Sequence, residues 1–242
     1  MKPIVKWVGG KTQLLPYIKQ KLPKEFNTYY EPFLGGAAVL LDLNPTKAVV
    51  NDINPELINM YEQIRDHVED VILSLSNIDV AHAMMDAKEF FYEIREEFNT
   101  NLLTSTPQQA ARFIYLNKHC FNGLYRVNSK GKFNVPFNGK LKGGSFDPDH
   151  LREVSTRLKG VEFKLGDFTA AVSSAEAGDL VFFDTMNKGR VSHVGIYIGN
   201  NKIILNKFEK LKNIETGEEI IPCVASKIYK NDKIYYPSRM SM

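Results

Sequence analysis

A chain of 242 residues is long enough for one large domain, or for a domain that carries an appendage. Hydrophobic residues make up 43% of the chain and charged residues 24%, which is typical of a folded protein with a core and excludes global disorder. The net charge of +3 arises entirely after residue 178, so the overall charge does not by itself predict a nucleic-acid partner.

The beginning of the chain predicts a strand-like segment over residues 1–7, without the apolar core of a signal peptide. No apolar run approaches the roughly 20 residues that a membrane helix needs. The two cysteines, Cys120 and Cys223, form no disulfide framework, and we expect them to be buried or idle thiols. These features predict a cytoplasmic protein with no membrane partner.

Strand and helix patterns then alternate along the chain. Short apolar or aromatic segments predict four strands, at residues 29–33, 48–52, 161–165 and 180–183. Helical spacing or helix-start residues predict helices over residues 37–43, 54–64, 68–98 and 107–117. Residues 122–144 are rich in glycine, asparagine and lysine, and we expect a long loop or hairpin there. The pattern indicates an α/β fold with a largely parallel, doubly wound sheet.

The pattern changes after residue 184. Residues 194–208 and 228–235 each predict a β-hairpin, and no helical periodicity follows. The sequence therefore predicts a domain over residues 1–184 with an insertion at about 60–150. Its sheet is expected to be incomplete after the fourth strand, and residues 185–242 to form a small β-rich appendage.

Glycine and acidic residues follow the predicted strands. Gly35 and Gly36 permit a close approach of the backbone to a ligand, although glycine turns between a strand and a helix are common. Asp52 is suited to ribose hydroxyls or to capping the helix at Pro55, and Asp167 is equally suited to a helix cap. Because all lie at carboxyl ends of strands, together they favour a nucleoside-type cofactor.

Five motifs occur in order along the chain. They are Lys-Trp-Val-Gly-Gly-Lys at 6–11, Tyr-Glu-Pro-Phe-Leu-Gly-Gly at 30–36, Asn-Asp-Ile-Asn at 51–54, Phe-Asn-Gly-Leu-Tyr-Arg-Val-Asn at 121–128 and Gly-Asp-Phe at 166–168. With them, residues 2–184 resemble the Dam-like (D12 class) adenine-N6 DNA methyltransferases. Ala37 is a mild departure from the small residue that usually follows the two glycines.

The resemblance implies a Rossmann-like sheet and S-adenosyl-L-methionine as the cofactor. The cofactor-binding residues that it implies are Trp7, Lys11, Gly35, Gly36, Asp52, Asp167 and Asp184. Trp7 would pack on the cofactor and Lys11 would contribute charge. The two glycines would approach its methionine part, Asp52 would hold the ribose and Asp167 the adenine. No metal is expected.

The resemblance also implies double-stranded DNA with a flipped adenine as the partner. The DNA-binding residues that it implies are Lys6, Phe121, Asn122, Arg126 and Asn128. Phe121 would fill the gap that the extruded base leaves, and Arg126 offers a planar fork to guanine or phosphate. Basic residues from Lys118 to Lys142, including His119, alternate with aromatic ones, and such loops are poor core material, so we expect DNA contact along the loop.

The catalytic motif is incomplete. The family uses Asp-Pro-Pro-Tyr, in which the aspartate and a proline carbonyl hold the adenine amine and the ring stacks on the base. This chain has Asp184-Thr185-Met186-Asn187. Asp184 is the catalytic residue that we expect, and turnover is expected to be impaired because the stiffening prolines and the aromatic ring are absent.

The segment 177–205 resembles part of the NlpC/P60 cysteine peptidases. His193 matches their general base, but the expected Asp-Cys-Ser-Gly nucleophile segment does not occur in the chain, and Leu205 replaces a polar orienting residue. Three interpretations stay open: a weak DNA-adenine methyltransferase, a catalytically dead remnant or chimera that binds the cofactor or DNA, and a fragment of a peptidoglycan endopeptidase.

Overall fold

The computed structural model describes residues 1–22, 26–140 and 143–167, together with the backbone of seven later strands at 180–183, 193–199, 202–205, 211–212, 219–220, 228–230 and 233–235. Asp184 and the three residues after it lie outside the described residues, and so does Cys223.

The described part of the chain contains seven α-helices. They are α1 (Leu15–Lys21), α2 (Ala38–Leu43), α3 (Pro55–Asp66), α4 (Val68–Met84), α5 (Ala87–Thr100), α6 (Pro107–His119) and α7 (Pro148–Leu158). Side-chain caps explain where several begin: Asn54 accepts the first free N–H groups of α3, and Asp86 those of α5. The Asp86 cap divides the single helical segment predicted over residues 68–98 into two helices.

A six-stranded sheet organises the fold. Its strands are β1 (Tyr29–Glu31), β2 (Ala48–Asp52), β3 (Val161–Leu165), β4 (Leu180–Phe183), β5 (His193–Gly199) and β6 (Lys202–Leu205). The order across the sheet is β3-β2-β1-β4-β5-β6. Strands β1 to β4 are parallel, as the sequence predicts, whereas β5 and β6 are antiparallel to their neighbours.

The register of the parallel strands brings polar strand ends together. Glu31 lies beside Val50, and Asp52 lies beside Leu165. The strands β1 and β2 are buried along their whole length, so their last side chains are the first that can contact a ligand. A cluster of glycine and acidic residues consequently lies at the carboxyl ends of the parallel strands, where ligands of open α/β sheets bind.

Two local predictions are wrong. Residues 1–7 do not form a strand, because the backbone of Lys6 is bonded to the Asn117 side chain instead of to a neighbouring strand. The helix α7 was not predicted, although Asp147 caps it and Pro148 occupies its first turn. Its buried Leu151, Val154 and Leu158 show the spacing of an amphipathic helix.

The predicted loop at 122–144 is a hairpin-like excursion from the end of α6. Isolated bridges join Cys120 to Phe137 and Val127 to Phe133. Phe133 and Val135 are buried, and the Phe133 ring contacts Phe98 at a centroid distance of 6.0 Å. The base of the loop therefore belongs to the core.

Both hairpins that the sequence predicts after residue 184 are present as strand pairs. One consists of β5 and β6, and the other of β9 (Ile228–Lys230) and β10 (Lys233–Tyr235). A further pair, β7 (Leu211–Lys212) and β8 (Glu219–Ile220), lies between them. Because β5 pairs with β4, the sheet continues past residue 184. The domain boundary at that residue stays a prediction.

Candidate functional site: a cleft at the ends of the parallel strands

Asp52 organises the ends of β1 and β2. One carboxylate oxygen accepts the Gly35 N–H at 2.9 Å, and the other accepts the Asn54 N–H at 3.0 Å. The helix-cap interpretation of Asp52 is wrong, because Asn54 caps α3. Burial raises the pKa of Asp52, while the N–H donors from Gly35, Asn54 and Ile53 oppose that rise. The buried carboxylate thus fixes the glycine turn.

The neighbouring Asn51 joins three loops. Its Nδ2 donates to the Pro32 carbonyl at 3.1 Å and to the Gly166 carbonyl at 2.9 Å. Its own carbonyl accepts the Leu34 N–H at 2.8 Å. The exposed Asp167 is thereby placed beside the end of β2, next to Asp52.

Trp7 forms one wall of a cleft above this network. The cleft has about 300 Å³ of empty space, including open solvent, and its lining includes Trp7, Gly9, Lys11, Glu31, Gly35 and Gly36. Gly35 has a φ of +50°, and a Cβ atom there would lie 2.8 Å from Trp7 Cδ1. The Tyr61 hydroxyl donates to the Gly35 carbonyl at 3.0 Å. The glycine therefore allows the indole ring to pack directly against the turn.

Two ionisable side chains, Glu31 and Lys11, line the same cleft. Burial raises the pKa of the Glu31 carboxyl to about 8, while the Tyr29 hydrogen bond and the Lys11 charge lower it. The Tyr29 hydroxyl donates to Glu31 at 2.8 Å, and Lys11 Nζ donates to the Gly9 carbonyl at 2.5 Å. At neutral pH the Glu31 carboxyl is mostly protonated, so the Lys11 ammonium gives this end of the cleft positive charge.

The predicted DNA-binding residues lie on a surface next to the cleft. Phe121 is 52% exposed, and Asn122, Arg126, Asn128 and Lys6 are also exposed. Asn134 orients Arg126 by accepting its Nε–H at 2.7 Å. The Asn128 carboxamide oxygen accepts two N–H groups of the following turn, so this side chain shapes the loop tip.

The expectation that the whole basic loop faces DNA is wrong for several of its members. His119 is 3% exposed and bonds Ser145 at 3.1 Å, and Phe133 is buried. Phe137 contacts Phe91 with a centroid distance of 5.4 Å. These side chains anchor the loop, because apolar rings are more stable in contact with the core than in water.

Cys120 fits the expectation of an idle thiol. It is buried and free of disulfide bonds, and burial raises the pKa of its thiol to about 11. A thiol of such pKa is a poor nucleophile at neutral pH. Among the described residues, no group of three His, Cys, Asp or Glu side chains could hold a metal ion. Nor does this part of the chain contain a helix long and apolar enough to cross a membrane.

The structure brings most of the predicted cofactor residues together. Trp7, Lys11, Gly35 and Gly36 line the cleft, and Asp52 and Asp167 lie at the adjoining strand ends. Sequence reasoning missed four residues of the same region, namely Glu31, Asn51, Ile53 and Asn117. The signal for Ile53 was present, because an apolar residue directly after the polar strand end is unusual, and its side chain is 79% exposed.

The chain is similar to known families and proteins. The D12 class N6 adenine-specific DNA methyltransferase family matches residues 7–219. A Type II methyltransferase of Lactococcus lactis subsp. cremoris is 40% identical over 188 residues, covering 76% of this chain and 65% of that protein. A Type II methyltransferase of Methanocaldococcus jannaschii is 40% identical over 197 residues, covering 76% and 68%. A DNA adenine methylase of Haemophilus influenzae is 34% identical over 183 residues, covering 76% and 63%.

Two features of these matches bear on the predicted appendage at residues 185–242. The chain spans about two thirds of the length of these curated relatives. The family match passes through residues 177–184, where the sequence indicates a change of family, and continues to residue 219. The resemblance of residues 177–205 to NlpC/P60 peptidases receives no support from this match and stays a prediction. His193 is the first residue of β5, and we expect it to be a structural histidine there, since the nucleophile segment of those peptidases does not occur in the sequence.

Proposed function

Because the chain belongs to the D12 class of N6 adenine-specific DNA methyltransferases, we propose that it binds S-adenosylmethionine and double-stranded DNA and methylates the N6 amine of adenine. The observation that carries the proposal is the cleft in which Asp52 fixes the Gly35 turn against Trp7. We assign the parallel strands to a Rossmann-like methyltransferase sheet, with the cofactor at their carboxyl ends.

The residues at the cleft fit the cofactor chemically. S-Adenosylmethionine supplies an activated methyl group on a cationic sulfur. Asp52 accepts one main-chain N–H on each carboxylate oxygen and keeps acceptor capacity for ribose hydroxyls. Ile53 offers an exposed apolar face to the adenine, and Asp167 lies at the adjacent strand end to accept from its amine. Gly35 and Gly36 bring the main chain of the turn close to the methionine part.

Trp7 and Lys11 complete the binding site at its other end. The indole packs along the ligand, and the Lys11 ammonium pairs with the carboxylate of the methionine part. Lys11 lies near enough to Glu31 to lower the pKa of that carboxyl. Lys11 and Glu31 both line the cleft, so the lysine can orient the carboxylate end of the ligand.

The proposed DNA contacts follow from exposure and shape. Phe121 projects an apolar ring into solvent beside a turn, and it is suited to fill the gap left by a flipped adenine. Asn122 and Arg126 present hydrogen-bonding groups on the same exposed loop, and Lys6 adds positive charge next to it. Asn128 contributes to the proposed surface through its amide and by fixing the loop tip.

The catalytic step is proposed to be slow. Asp184 remains as an acceptor for the adenine amine, and the Thr185 carbonyl takes the place of a proline carbonyl. Stacking of a base on an aromatic ring contributes about 1–3 kcal/mol, which Asn187 does not supply. Each 1.36 kcal/mol of lost transition-state stabilisation lowers the rate about tenfold. The absence of the two prolines lowers the rate further, because a less rigid loop aligns the reacting groups less well.

The test measures cofactor binding and methyl transfer separately. We expect S-adenosylmethionine to raise the melting temperature of the protein. Transfer of tritiated methyl groups to unmethylated duplex DNA should be slow. The triple variant Thr185→Pro, Met186→Pro and Asn187→Tyr should accelerate it about 100-fold or more, since it restores ring stacking and loop geometry. Asp184→Ala in the triple-variant background is the matched control and should remove the activity.

Each other result has a definite meaning. Absence of a cofactor-induced rise in melting temperature overturns the proposed cofactor site. Rapid transfer by the unaltered protein overturns the proposed impairment. A triple variant that binds the cofactor without any gain in transfer favours the catalytically dead remnant, because the rest of the site would then not support turnover.

A further inference from the structure

The Asn117 side chain holds two functional segments at once. This residue lies in the last turn of α6 and is 6% exposed. Its Oδ1 accepts the Lys6 N–H at 2.8 Å, while its Nδ2 donates to the carbonyls of Lys6 at 2.9 Å and Gly123 at 3.1 Å. One amide therefore satisfies both main-chain groups of Lys6 and also binds the turn at Phe121–Gly123.

The two segments also pack on each other around this amide. A Cβ atom on Gly123 would lie 2.7 Å from Lys6 Cδ, so the turn contacts the lysine stem directly. The Trp7 and Tyr125 rings stack with centroids 5.6 Å apart and an interplanar angle of 28°. Lys6 leads into the segment that lines the cleft, and the turn leads into the exposed loop with Phe121 and Arg126.

We propose that Asn117 is a positioning residue that couples the cofactor cleft to the DNA-contacting loop, so that each ligand strengthens the binding of the other. The inference rests on the proposed function of the two surfaces. Residues 6–11 have neither helical nor strand structure, so side-chain contacts hold them in position, among them the hydrogen bonds of Asn117 and the packing of Trp7. The first ligand that fixes this junction reduces the ordering that the second ligand requires.

Asn99 provides a matched control. It is also a buried asparagine, 8% exposed, and its amide pairs with the N–H and C=O of one residue, Phe133, at 2.7 and 3.0 Å. It holds the same loop, but among the described residues its side chain bonds Phe133 and no residue of the segment at 6–11. Asn99→Ala therefore removes a comparable set of buried hydrogen bonds without cutting the junction.

The test is a set of calorimetric titrations. The ligands are sinefungin, an unreactive analogue of S-adenosylmethionine, and unmethylated duplex DNA of random sequence. The dissociation constant of each is measured with and without the other. We expect the unaltered protein to bind sinefungin about 5-fold or more tightly when DNA is present, and DNA by the same factor when sinefungin is present.

Asn117→Ala should bring this coupling factor close to 1, while each ligand alone still binds. Asn99→Ala should keep the coupling factor of the unaltered protein, even where it weakens DNA binding. Melting curves establish that both variants are folded. If Asn117→Ala does not fold, Gly123→Ala takes its place, since its Cβ would displace Lys6 and open the same junction.

The possible failures are distinguishable. If the unaltered protein binds both ligands without coupling, or if Asn117→Ala keeps the coupling, the inference is overturned and the proposed function stands. Equal loss of coupling in Asn99→Ala also overturns it, because general loosening of the loop would then be sufficient. If the unaltered protein binds no sinefungin, the proposed function is overturned and the inference with it.

Discussion

Gly35 shows how one missing side chain determines the shape of the cleft. Its φ of +50° and the predicted 2.8 Å contact between a Cβ and Trp7 both oppose any larger residue. Gly35→Ala is expected to displace the indole ring from the turn and to weaken cofactor binding about tenfold or more, equivalent to about 1.4 kcal/mol or more. Calorimetric titration with sinefungin measures this change.

Gly139→Ala is the control for Gly35→Ala. It separates the effect of the contact between the new Cβ atom and Trp7 from the effect of placing alanine at a positive φ. Gly139 has a φ of +78°, but no atom of the described residues lies within 4 Å of the position that a Cβ would occupy. The alanine there is expected to lower stability slightly and to leave cofactor affinity unchanged. An equal loss of affinity in both variants would show that the contact with Trp7 is not the cause.

Glu31 links cofactor binding to pH. Its pKa of about 8 means that the folded protein without ligand carries a proton on this carboxyl at neutral pH. A cationic ligand in the cleft favours the ionised form, so binding should release a proton. Because the complex then holds fewer protons, affinity should rise with pH between about 6 and 8. Calorimetry in buffers of different ionisation enthalpy counts the released protons.

Glu31→Gln is the matched variant for this effect. The glutamine keeps the shape of the side chain and an acceptor for the Tyr29 hydroxyl, but it cannot titrate. We expect proton release and the rise of affinity with pH to disappear together. If the variant still releases a proton at neutral pH, another group is responsible.

At the scale of elements, a buried polar cluster joins α4, α6 and the segment before α7. Asp79 on α4 accepts hydrogen bonds from the N–H and hydroxyl of Ser145, and the same hydroxyl bonds His119 at 3.1 Å. His82 bonds the Tyr115 hydroxyl at 2.7 Å, and its ring lies 4.5 Å from that of His119. This cluster fixes the base of the loop that is proposed to contact DNA.

The cluster predicts sensitivity to acid. Burial and, to a smaller extent, the neighbouring His82 lower the pKa of His119 to about 4, although the Asp79 charge opposes them. Between this value and the ordinary pKa of histidine near 6.5, the unfolded chain binds a proton that the folded chain does not. The contribution of His119 to stability should therefore be complete above about pH 6.5 and decrease as the pH falls toward about 4. Melting temperatures across this range measure it.

His119→Gln should remove this part of the acid sensitivity, since glutamine is neutral throughout the range. Glu31 has the opposite effect on stability, because its raised pKa makes folding more favourable as the pH falls through the same region. The test consequently compares how the melting temperature changes with pH in the variant and in the unaltered protein. The contribution of Glu31 is the same in both and cancels in the difference. His67→Gln, at an exposed position between α3 and α4, should leave the pH dependence in place.

Much of the fold at this scale could be predicted from local sequence. The pair Asn54-Pro55 marks the start of α3, and the bounds of β2, β3 and β4 match the apolar segments. Residues 1–7 were misassigned because a strand needs a neighbouring strand, whereas Lys6 is bonded to a side chain 111 positions away. The aromatic residues of the loop were misassigned for a similar reason, because their partners lie in α5 and α6.

In the candidate site, too, some residues can be predicted from local sequence and others only from contacts between distant parts of the chain. Gly35, Asp52 and Trp7 stand in motifs that can be recognised in isolation. The contacts that hold them do not appear in any local pattern: Asn51 reaches Gly166 across 115 positions, and Asn117 reaches Lys6 across 111. Burial of Glu31 likewise depends on the packing of the whole sheet. Motifs thus identify the residues that are proposed to contact ligands, whereas the residues that position them can be identified only in the folded chain.

For the molecule as a whole, the sheet crosses the predicted boundary at residue 184. Strand β4 lies between β1 and β5, so both of its edges are paired. A chain that ends at residue 184 would leave one edge of the apolar segment Leu-Val-Phe-Phe open. We expect that chain to melt at a lower temperature and to aggregate, as light scattering would show, while cofactor affinity changes little.

A chain that ends at residue 205 is the control, since it keeps β5 and β6 on the sheet. It should scatter less light and melt closer to the full chain than the shorter one. If both truncated chains aggregate equally, the pairing of β4 with β5 is not what prevents aggregation. The stability contributed by residues 206–242 would then be the larger effect.

Trp7 is the single tryptophan of the chain. Its indole lines the cleft on one side and stacks on Tyr125 of the loop that is proposed to contact DNA. The fluorescence of the protein at wavelengths that excite only tryptophan therefore comes from the junction between the two proposed ligand surfaces. The molecule carries its own optical reporter at this junction, and the arrival of either ligand can be followed in time without attaching a dye.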